Sequence, residues 1–532
     1  MSKEKRFQTI KKQIKSKSKA TASKFFKNTK SFYKNLKELL YDVQKNHLYK
    51  DDKTFIDLVP RYNTHKIKNE YLLIKDNPNF NLENFINRHF FSYSSSKESH
   101  NPTNAINPRL YIKYLWNELE RNVSQDEGSL IALPNKYIVP GGRFNEQFYW
   151  DSYFIMLGLA ADSEWDLLEG MLKNIIYMIN EFGFIPTANR TYLLSRSQPP
   201  FFSRMVRLLS EQKGESILPS YLPYLLIEYR FWMIGSDTLK SSNKNEFART
   251  VNMPNGVILN RYYDNTIAPR PESLGEDLKI TKGMAGPGSD SIYLNIRAAA
   301  ESGWDFSSRW FDDPMDMHTI QTISIIPVDL NCLLFELEDL IAKIYELINK
   351  SIYANKFKKL AELRVSGIQK YCWDSDSGFF FDYNFCKNHS TDRATLASVF
   401  PLYSKVATDD QARLVALRLE KDFLKAGGLA TTLINTDQQW DGSNGWAPLQ
   451  WVAIKGLRNY GYTKLADEIK KRWIDNNLKV LSQKNMLIEK YNVDNLNQLG
   501  SGGEYQLQIG FGWTNGVLAA LLQEDEVLRS SV

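Results

Sequence analysis

Apolar residues recur every three to four positions along most of this chain, the spacing of a helix with one buried face. Residues 164–183 show the pattern clearly, with Trp165, Leu168, Met171 and Leu172 on one side. Residues 331–350 repeat it. Further helices are predicted over 109–122, 151–161, 220–234, 354–372, 410–424, 446–459, 463–479 and 513–523.

Strict alternation of apolar and polar residues, the mark of a half-buried strand, is almost absent. With weaker segments included, the chain holds about a dozen predicted helices. One all-α domain of paired helices around a common core is therefore the simplest architecture.

The segments between these helices are rich in glycine, proline and tryptophan, which marks them as loops. Loops on a rigid scaffold often carry function, and loops at one end of a helical barrel would converge on one pocket. They are 139–154, 190–202, 261–273, 301–310, 438–451 and 500–516.

Several function classes are disfavoured by what the sequence lacks. The three cysteines form no CxxC pair, and the six histidines form no HxxxH or HExxH, so neither a disulfide framework nor a zinc site is expected. Phosphate-binding glycine loops and the GxSxG elbow are also missing. No apolar run approaches a membrane span and the N-terminus has no apolar signal core. These observations predict a cytoplasmic protein without a metal or other cofactor.

The positive charge of the chain is concentrated at its start. Residues 1–36 carry eleven lysines and one arginine against one glutamate, whereas the whole chain carries only +6. A basic tail of this kind suits nucleic acid or an anionic membrane. The favoured interpretation is a solvated, mostly disordered extension without a nucleic-acid partner, followed by a catalytic domain over 37–525.

The loops supply carboxylates, guanidinium groups and indoles but neither cysteine nor histidine. This set lacks the usual nucleophile and base of acyl transfer. It matches glycoside hydrolysis, in which one carboxylic acid protonates the leaving oxygen and one carboxylate activates water or attacks carbon. Each loop residue also has a structural interpretation, such as a helix cap or a turn. The candidate carboxylates of the loops are Asp151, Asp305, Asp441 and Glu504, and the residue types leave open which two of them act. The same loops contain Arg143, Arg196, Arg270, Arg309 and Gln198.

Asp305 has the most unusual local setting of these carboxylates. Trp304 and Phe306 flank it, and a carboxyl group placed among aromatic rings loses water, which raises its pKa. Asp305 either holds a proton for catalysis or anchors a loop.

Six ordered blocks resemble the trehalase family of glycoside hydrolases, and the resemblance covers roughly residues 39–523. The first and fifth are similar to that family's two signature sequences. In chain order the blocks are PGGRFNEQFYWDSYF (140–154), SRSQPPFF (195–202), RPES (270–273), SGWDFSSRW (302–310), QQWDGSNGWAPLQW (438–451) and GGEYQLQIGFGWTNG (502–516).

The resemblance implies a single (α/α)6 toroid with long active-site loops at one end, acting on trehalose. It implies hydrolysis of α,α-trehalose to two glucose molecules with inversion and without metal. By analogy Asp305 is the general acid and Glu504 is the general base that activates water. Substrate contacts carry over to Arg143, Trp150, Asp151, Arg196, Ser197, Gln198, Arg270, Glu272 and Gly303.

The chain departs from the family pattern at a few positions. Thr187 and Ala188 stand where the family has Asn-Gly, Gly442 and Ser443 replace a small residue and proline, and Ile509 replaces an acidic residue. Two alternatives remain open. The first is a related toroid hydrolase acting on another α-glucoside, and the second is a sugar-binding protein without activity. The oligomeric state is not predicted.

Overall fold

The structure, a computed structural model, describes residues 35–92, 107–240 and 243–530. The predicted basic extension therefore lies outside the described residues, apart from its last two positions.

Helices dominate the described chain. The first, α1, spans 35–45. It is followed by α2 (Lys53–Asp57), α3 (Thr64–Ile74), α4 (Leu82–His89), α5 (Pro108–Leu119), α6 (Tyr149–Ala161), α7 (Trp165–Phe182), α8 (Phe202–Lys213), α9 (Leu218–Trp232), α10 (Ser236–Lys240), α11 (Leu274–Ile280), α12 (Pro287–Ser302), α13 (Val328–Leu347), α14 (Ser351–Tyr371), α15 (Phe400–Tyr403), α16 (Asp409–Arg418), α17 (Ala447–Asn459), α18 (Thr463–Lys484) and α19 (Gly512–Ser530).

The strands within the described residues are two or three residues long and form small hairpins and ribbons. They are β1 (Val59–Pro60), β2 (Phe90–Phe91), β3 (Glu120–Arg121), β4 (Tyr137–Ile138), β5 (Glu246–Phe247), β6 (Thr250–Asn252), β7 (Ile258–Asn260), β8 (Ile325–Ile326), β9 (Trp373–Asp374), β10 (Phe379–Phe380), β11 (Tyr383–Asn384), β12 (His389–Ser390), β13 (Leu424–Lys425), β14 (Gly428–Leu429), β15 (Asn444–Trp446) and β16 (Lys490–Asn492). All of their pairings are antiparallel.

Six helices form a closed inner ring. Each packs against the next and the last returns to the first, in the order α6, α8, α13, α15, α17 and α19. The α6 helix shows how deeply the ring is buried, since every one of its residues except Ala160 is buried. A helix that is apolar on all sides belongs inside a large core.

Outer helices alternate with the inner ones along the chain. Most pack directly on an inner neighbour, as α5 does on α19, α7 on α6, α9 on α8, α14 on α13 and α18 on α17. Alternation of outer and inner helices around a closed ring is an (α/α)6 toroid, so the predicted fold is confirmed.

All ten predicted helices are present. Two long helices were not predicted, α8 and α12. Small and polar residues interrupt the apolar stripe of α12. The stripe of α8 is regular, with Phe202, Met205, Val206 and Leu209 buried on one face, and the prediction missed it.

A second, smaller core lies N-terminal to the ring. Residues of α1 to α4 bury their apolar side chains against Tyr192 and Leu193 of the loop before α8, and against Leu274 at the start of α11. This N-terminal layer thereby covers loops that lead into the inner helices.

The ring closes where α6 and α19 approach each other at glycines. A Cβ atom on Gly158 would lie 2.5 Å from the Cα of Gly516, and one on Gly516 would lie 2.1 Å from the carbonyl oxygen of Phe154. Only glycine permits backbones to approach this closely.

Replacing Gly516 by Ala should therefore destabilise the protein. Overpacking at such a contact costs about 1–3 kcal/mol in the free energy of unfolding, and we expect a lower melting temperature in a thermal unfolding experiment. Gly288→Ala is the matched control, because a Cβ at Gly288 would meet open space. Equal melting temperatures for the two variants would contradict the close packing of α6 and α19.

Candidate active site

A pocket opens at the end of the toroid where the inner helices begin. The loops that run from an outer helix to the next inner helix line this pocket. Residues of α2 and of the segments next to α11 and α12 line it as well. The pocket has an empty volume of about 790 Å³.

Ten of the eleven predicted site residues line this pocket: Arg143, Trp150, Asp151, Arg196, Gln198, Arg270, Glu272, Gly303, Asp305 and Glu504. Ser197 is the exception. Its hydroxyl donates to the carbonyl of Ile185 at 2.6 Å and its backbone N–H donates to Glu301 at 2.9 Å. Ser197 thus holds the Arg196 loop in place rather than lining the pocket.

Asp305 is half-buried in the pocket wall and has no ion-pair partner among the described residues. Burial raises its pKa to about 7, while the positive charge of Arg270 opposes the rise and the negative charge of Glu504 adds to it. At mildly acidic pH this carboxyl therefore carries a proton, which is the state that a general acid needs.

Glu504 is held by donors on both of its oxygens. Arg270 donates to Oε1 at 2.8 Å and the hydroxyl of Ser273 donates to Oε2 at 3.1 Å. Arg270 is fixed in turn by Asp277, whose Oδ1 accepts from Nη2 at 2.6 Å. Burial raises the pKa of Glu504, and Arg270 opposes that rise.

Arg196 and Glu272 form an ion pair beside this cluster. In the part of the chain that the structure describes, Nε and Nη1 of Arg196 and Oε2 of Glu272 are buried and have no hydrogen-bond partner. Buried polar atoms without partners are costly. Hydroxyl groups of a sugar would supply the missing partners.

Arg143 is held by a residue of the N-terminal layer. Asp51 accepts from its Nε at 2.7 Å and from its Nη2 at 2.6 Å. Lys53, two residues further on, lines the pocket and donates to the backbone carbonyl of Arg143 at 2.9 Å. Asp51 and Lys53 were not predicted, because nothing in a short helix near the N-terminus indicates contact with a loop about ninety residues away.

Aromatic side chains form much of the remaining wall. Trp440 stacks on Trp446, with ring centroids 4.0 Å apart, and both line the pocket. Gly303 has a φ of +74°, and a Cβ there would lie 2.8 Å from the Trp150 ring. Glycine at this position lets the acid loop rest against Trp150. Faces of this kind suit the C–H surface of a pyranose ring.

Two residues of the loop inventory lie outside the pocket and stabilise its loops. Asp441 accepts from the hydroxyls of Ser307 and Ser308 at 2.7 and 2.9 Å and from the backbone N–H of Ser308 at 2.7 Å. Arg309 is buried between Asp329 and Asp382. Both anchor the segment directly after Asp305.

Glu489 is a pocket carboxyl that the sequence reasoning missed. Its Oε1 accepts from the hydroxyl of Tyr505 at 2.8 Å, while its Oε2 is buried and has no hydrogen-bond partner among the described residues. Burial raises its pKa, and the charge of Lys490 opposes that rise. The available signal was a glutamate directly after apolar residues in the stretch MLIEKYN (486–492), outside the glycine-rich loops.

Asp151 completes the set of pocket carboxyls. It lies in the first turn of α6. Burial raises its pKa well above the usual range, and the negative charges of Glu489 and Asp305 add to the rise. Asp151 is therefore close to both other carboxyls.

The toroid and its pocket of paired carboxyls, arginines and indoles define a glycoside hydrolase of the (α/α) class. The sequence profile of the family described as Trehalase matches residues 47–525, and this chain belongs to that family. Relatives named "Periplasmic trehalase" from Escherichia coli and Shigella flexneri are 42% identical over 486 residues, which is 91% of this chain and 86% of theirs.

Solved structures agree with this placement. Neutral trehalase from Saccharomyces cerevisiae matches with a TM-score of 0.60 and 26% identity, over 80% of this chain and 82% of that one. A mannosylglycerate hydrolase from Thermus thermophilus matches with a TM-score of 0.52 and 17% identity, over 78% of this chain and 99% of that one. At that identity the second likeness concerns the fold alone.

The predicted cytoplasmic location is wrong in the light of these relatives, which are named periplasmic trehalases. The prediction relied on a low cysteine content, together with the lack of an apolar signal core and of a membrane span in the sequence. A large core needs no disulfides in any compartment, so scarce cysteines do not separate the cytoplasm from the periplasm. Within residues 35–92, 107–240 and 243–530, no helix is long and apolar enough to cross a membrane.

Arg196→Lys tests whether the unpartnered guanidinium atoms bind substrate. Lysine keeps the charge but loses the planar fork, so we expect a loss of about 1.5–3 kcal/mol in kcat/KM for trehalose, the scale of a hydrogen bond to a charged group. The matched control is Arg207→Lys, at a surface pair with Asp339. Wild-type kcat/KM in Arg196→Lys would contradict the assignment of this arginine to the substrate.

Proposed function

We propose that this chain hydrolyses α,α-trehalose to two glucose molecules in the periplasm, by an inverting acid–base mechanism. The observation that carries the proposal is a half-buried Asp305 with a pKa of about 7, in a pocket whose polar atoms include several without hydrogen-bond partners, within a chain of the trehalase family. We also propose that residues 37–525 form the catalytic unit, which the family match over 47–525 supports.

Asp305 serves as the general acid. Its carboxyl donates a proton to the glycosidic oxygen as the bond between that oxygen and the anomeric carbon breaks. The raised pKa suits this role, because the group keeps its proton up to about pH 7. Once the leaving glucose has gone, Asp305 is an anion and takes up a proton from solvent.

Glu504 serves as the general base, the role that the family resemblance assigns to it. Its side chain is 19% exposed and lines the pocket. Each of its oxygens accepts one hydrogen bond from the protein and keeps a further lone pair that can accept from the attacking water. Glu489 has an oxygen without a hydrogen-bond partner among the described residues, but that oxygen is fully buried, so the attacking water does not reach it.

Variants of the two carboxyls should separate these roles. Asp305→Asn and Glu504→Gln should each lower trehalose turnover by about 10²–10⁴-fold, the usual share of one acid or base. With α-glucosyl fluoride, whose leaving group needs little protonation, Asp305→Asn should recover more of its rate than Glu504→Gln. The readout is the initial rate on each substrate.

Azide provides the deciding control for the base. With α-glucosyl fluoride, Glu504→Ala plus azide should yield β-glucosyl azide, because azide enters from the face that water normally uses. Recovery by azide in Glu489→Ala instead would assign the base role to Glu489. In the wild type, NMR should show one α-glucose and one β-glucose from each trehalose at early times, and two α-glucose molecules would exclude inversion.

The pH profile should report the acid. The folded-state pKa of Asp305 is raised to about 7, so the active protonated form persists below that pH and is lost as the pH rises through it. We therefore expect the basic limb of kcat/KM for trehalose to fall with an apparent pKa of about 7. A rate that stays constant to pH 9 would contradict the assignment.

Two simple assays address the alternatives. A panel of α-linked disaccharides distinguishes a trehalase from an enzyme for another α-glucoside. Glucose release from trehalose by the purified full chain distinguishes both enzymes from an inactive sugar-binding protein, for which no release is expected.

A further inference from the structure

Two helix starts meet at the border between the N-terminal layer and the pocket. Asp52 occupies the N-cap position of α2, and Ser273 occupies the N-cap position of α11. Aspartate and serine at an N-cap usually accept hydrogen bonds from backbone N–H groups in the first turn of their own helix. Neither side chain does so here. Each of the two therefore has its side chain available for another element.

Ser273 directs its hydroxyl into the active site. The residue lines the pocket, and its hydroxyl donates to Oε2 of Glu504, the proposed base, at 3.1 Å. A serine that capped α11 would accept from the N–H groups of Gly275 and Glu276 instead. These N–H groups have no partner within their own helix, so α11 needs an acceptor from elsewhere.

Asp52 supplies this acceptor from the N-terminal layer. Its Oδ2 accepts from the backbone N–H of Gly275 at 2.6 Å, and the N–H of Glu276 also favours the ionised form of its carboxyl. Glycine suits this contact, because a Cβ at Gly275 would lie 2.9 Å from Oδ2. Gln44 of α1 holds Asp52 in turn, since its Nε2 donates to the backbone carbonyl of Asp52 at 2.9 Å. The carboxylate of Asp52 thus caps a helix other than its own.

We propose that Asp52 is a positioning residue for the general base. By capping α11 from the N-terminal layer, it leaves the hydroxyl of Ser273 available to Glu504. Asp52 itself is not part of the pocket lining, so it acts on the base only through Ser273. The proposal rests on the proposed function, with Glu504 as the base.

The surroundings of Glu504 give the expected effect a definite sign. The charged groups that face it are Arg143, Arg270, Asp277, Lys279 and Asp305. Burial raises the pKa of Glu504, and the hydrogen bond from Ser273 opposes that rise. Loss of this bond should therefore raise the pKa of the base further. Direct loss of the negative charge of Asp52 would act in the opposite direction, so an upward shift identifies the route through Ser273.

The test compares Asp52→Ala with Ser273→Ala in the full chain. Without Asp52, the hydroxyl of Ser273 should turn to the N–H groups of its own helix and leave Glu504. Both variants should lower kcat for trehalose by about 10-fold, the scale of one hydrogen bond to a charged group. Both should also move the acidic limb of kcat/KM to higher pH. In the double variant, this limb should lie where Ser273→Ala places it.

The pH profile decides between a positioning role and a merely structural one. A wild-type acidic limb in Asp52→Ala overturns the proposal, even if kcat falls, because a general loss of stability does not change the pKa of the base. A further shift in the double variant also overturns it, since Asp52 would then act by another route. Absence of glucose release by the wild type, or recovery by azide in Glu489→Ala, would instead reject the proposed function, so the two failures are distinguishable.

Two further variants serve as matched controls. Asp52→Asn keeps an oxygen that can accept from Gly275, so most of the wild-type kcat and the wild-type acidic limb should be retained. An asparagine variant as impaired as Asp52→Ala would contradict the hydrogen-bonding role. Asp316→Ala removes an aspartate that accepts from the N–H of His318 at 2.9 Å, at a helix start outside the pocket lining, and should match the wild type.

A second substitution keeps the proposal testable if Asp52→Ala does not fold. Asp52→Ser retains a polar group, but its shorter side chain places the hydroxyl too far from Gly275 to replace the carboxylate. We expect the same fall in kcat and the same upward shift of the acidic limb. A wild-type acidic limb in the folded serine variant overturns the proposal.

Discussion

The active site depends on how positive charge is shared among buried carboxyl groups. A carboxyl removed from water has a lowered pKa when guanidinium groups outweigh the loss of water, and a raised pKa when they do not. Both kinds occur in one pocket. Burial alone would raise the pKa of Glu272, but the charges of Arg196 and Arg270 lower it. Asp305 and Asp151 have raised pKa values and no cation partner among the described residues. This difference makes a proton available at Asp305 under conditions in which Glu272 is an anion.

The loops that carry these carboxyls are held in place because the inner helices form a closed ring. Loops that would be mobile on an open scaffold are fixed at both ends by buried helices. Additional contacts then fix them to one another. Asp441 binds the segment after Asp305, and Asp51 reaches from the N-terminal layer to hold Arg143. Because both arginine and acid are held before substrate arrives, little ordering is needed at the moment of reaction.

A matching family block does not by itself assign a catalytic role to each of its residues. The glutamate of GGEY lies in the pocket, as the resemblance leads one to expect. Its two oxygens are oriented by hydrogen bonds from Arg270 and Ser273, whereas the unpartnered oxygen of Glu489 is buried. A motif identifies a residue that belongs to the site, but the position of its atoms decides whether substrate or water can reach it. For the same reason Ser197, inside a matching block, faces the protein instead of the pocket.

The sequence by itself determined the helical fold, the family and most of the pocket. Periodic apolar stripes predicted ten helices, because burial against a common core imposes that period on the chain. Clusters of glycine and tryptophan predicted the loops that carry ten of the eleven expected site residues. Only the tertiary structure decided which carboxyls have partners. The pairs Asp51–Arg143 and Arg270–Glu504 join residues from separate elements, and no local pattern records such a contact. Protonation depends on these distances and on burial, so the pKa of Asp305 and the partners of Glu504 became visible only once the chain was folded.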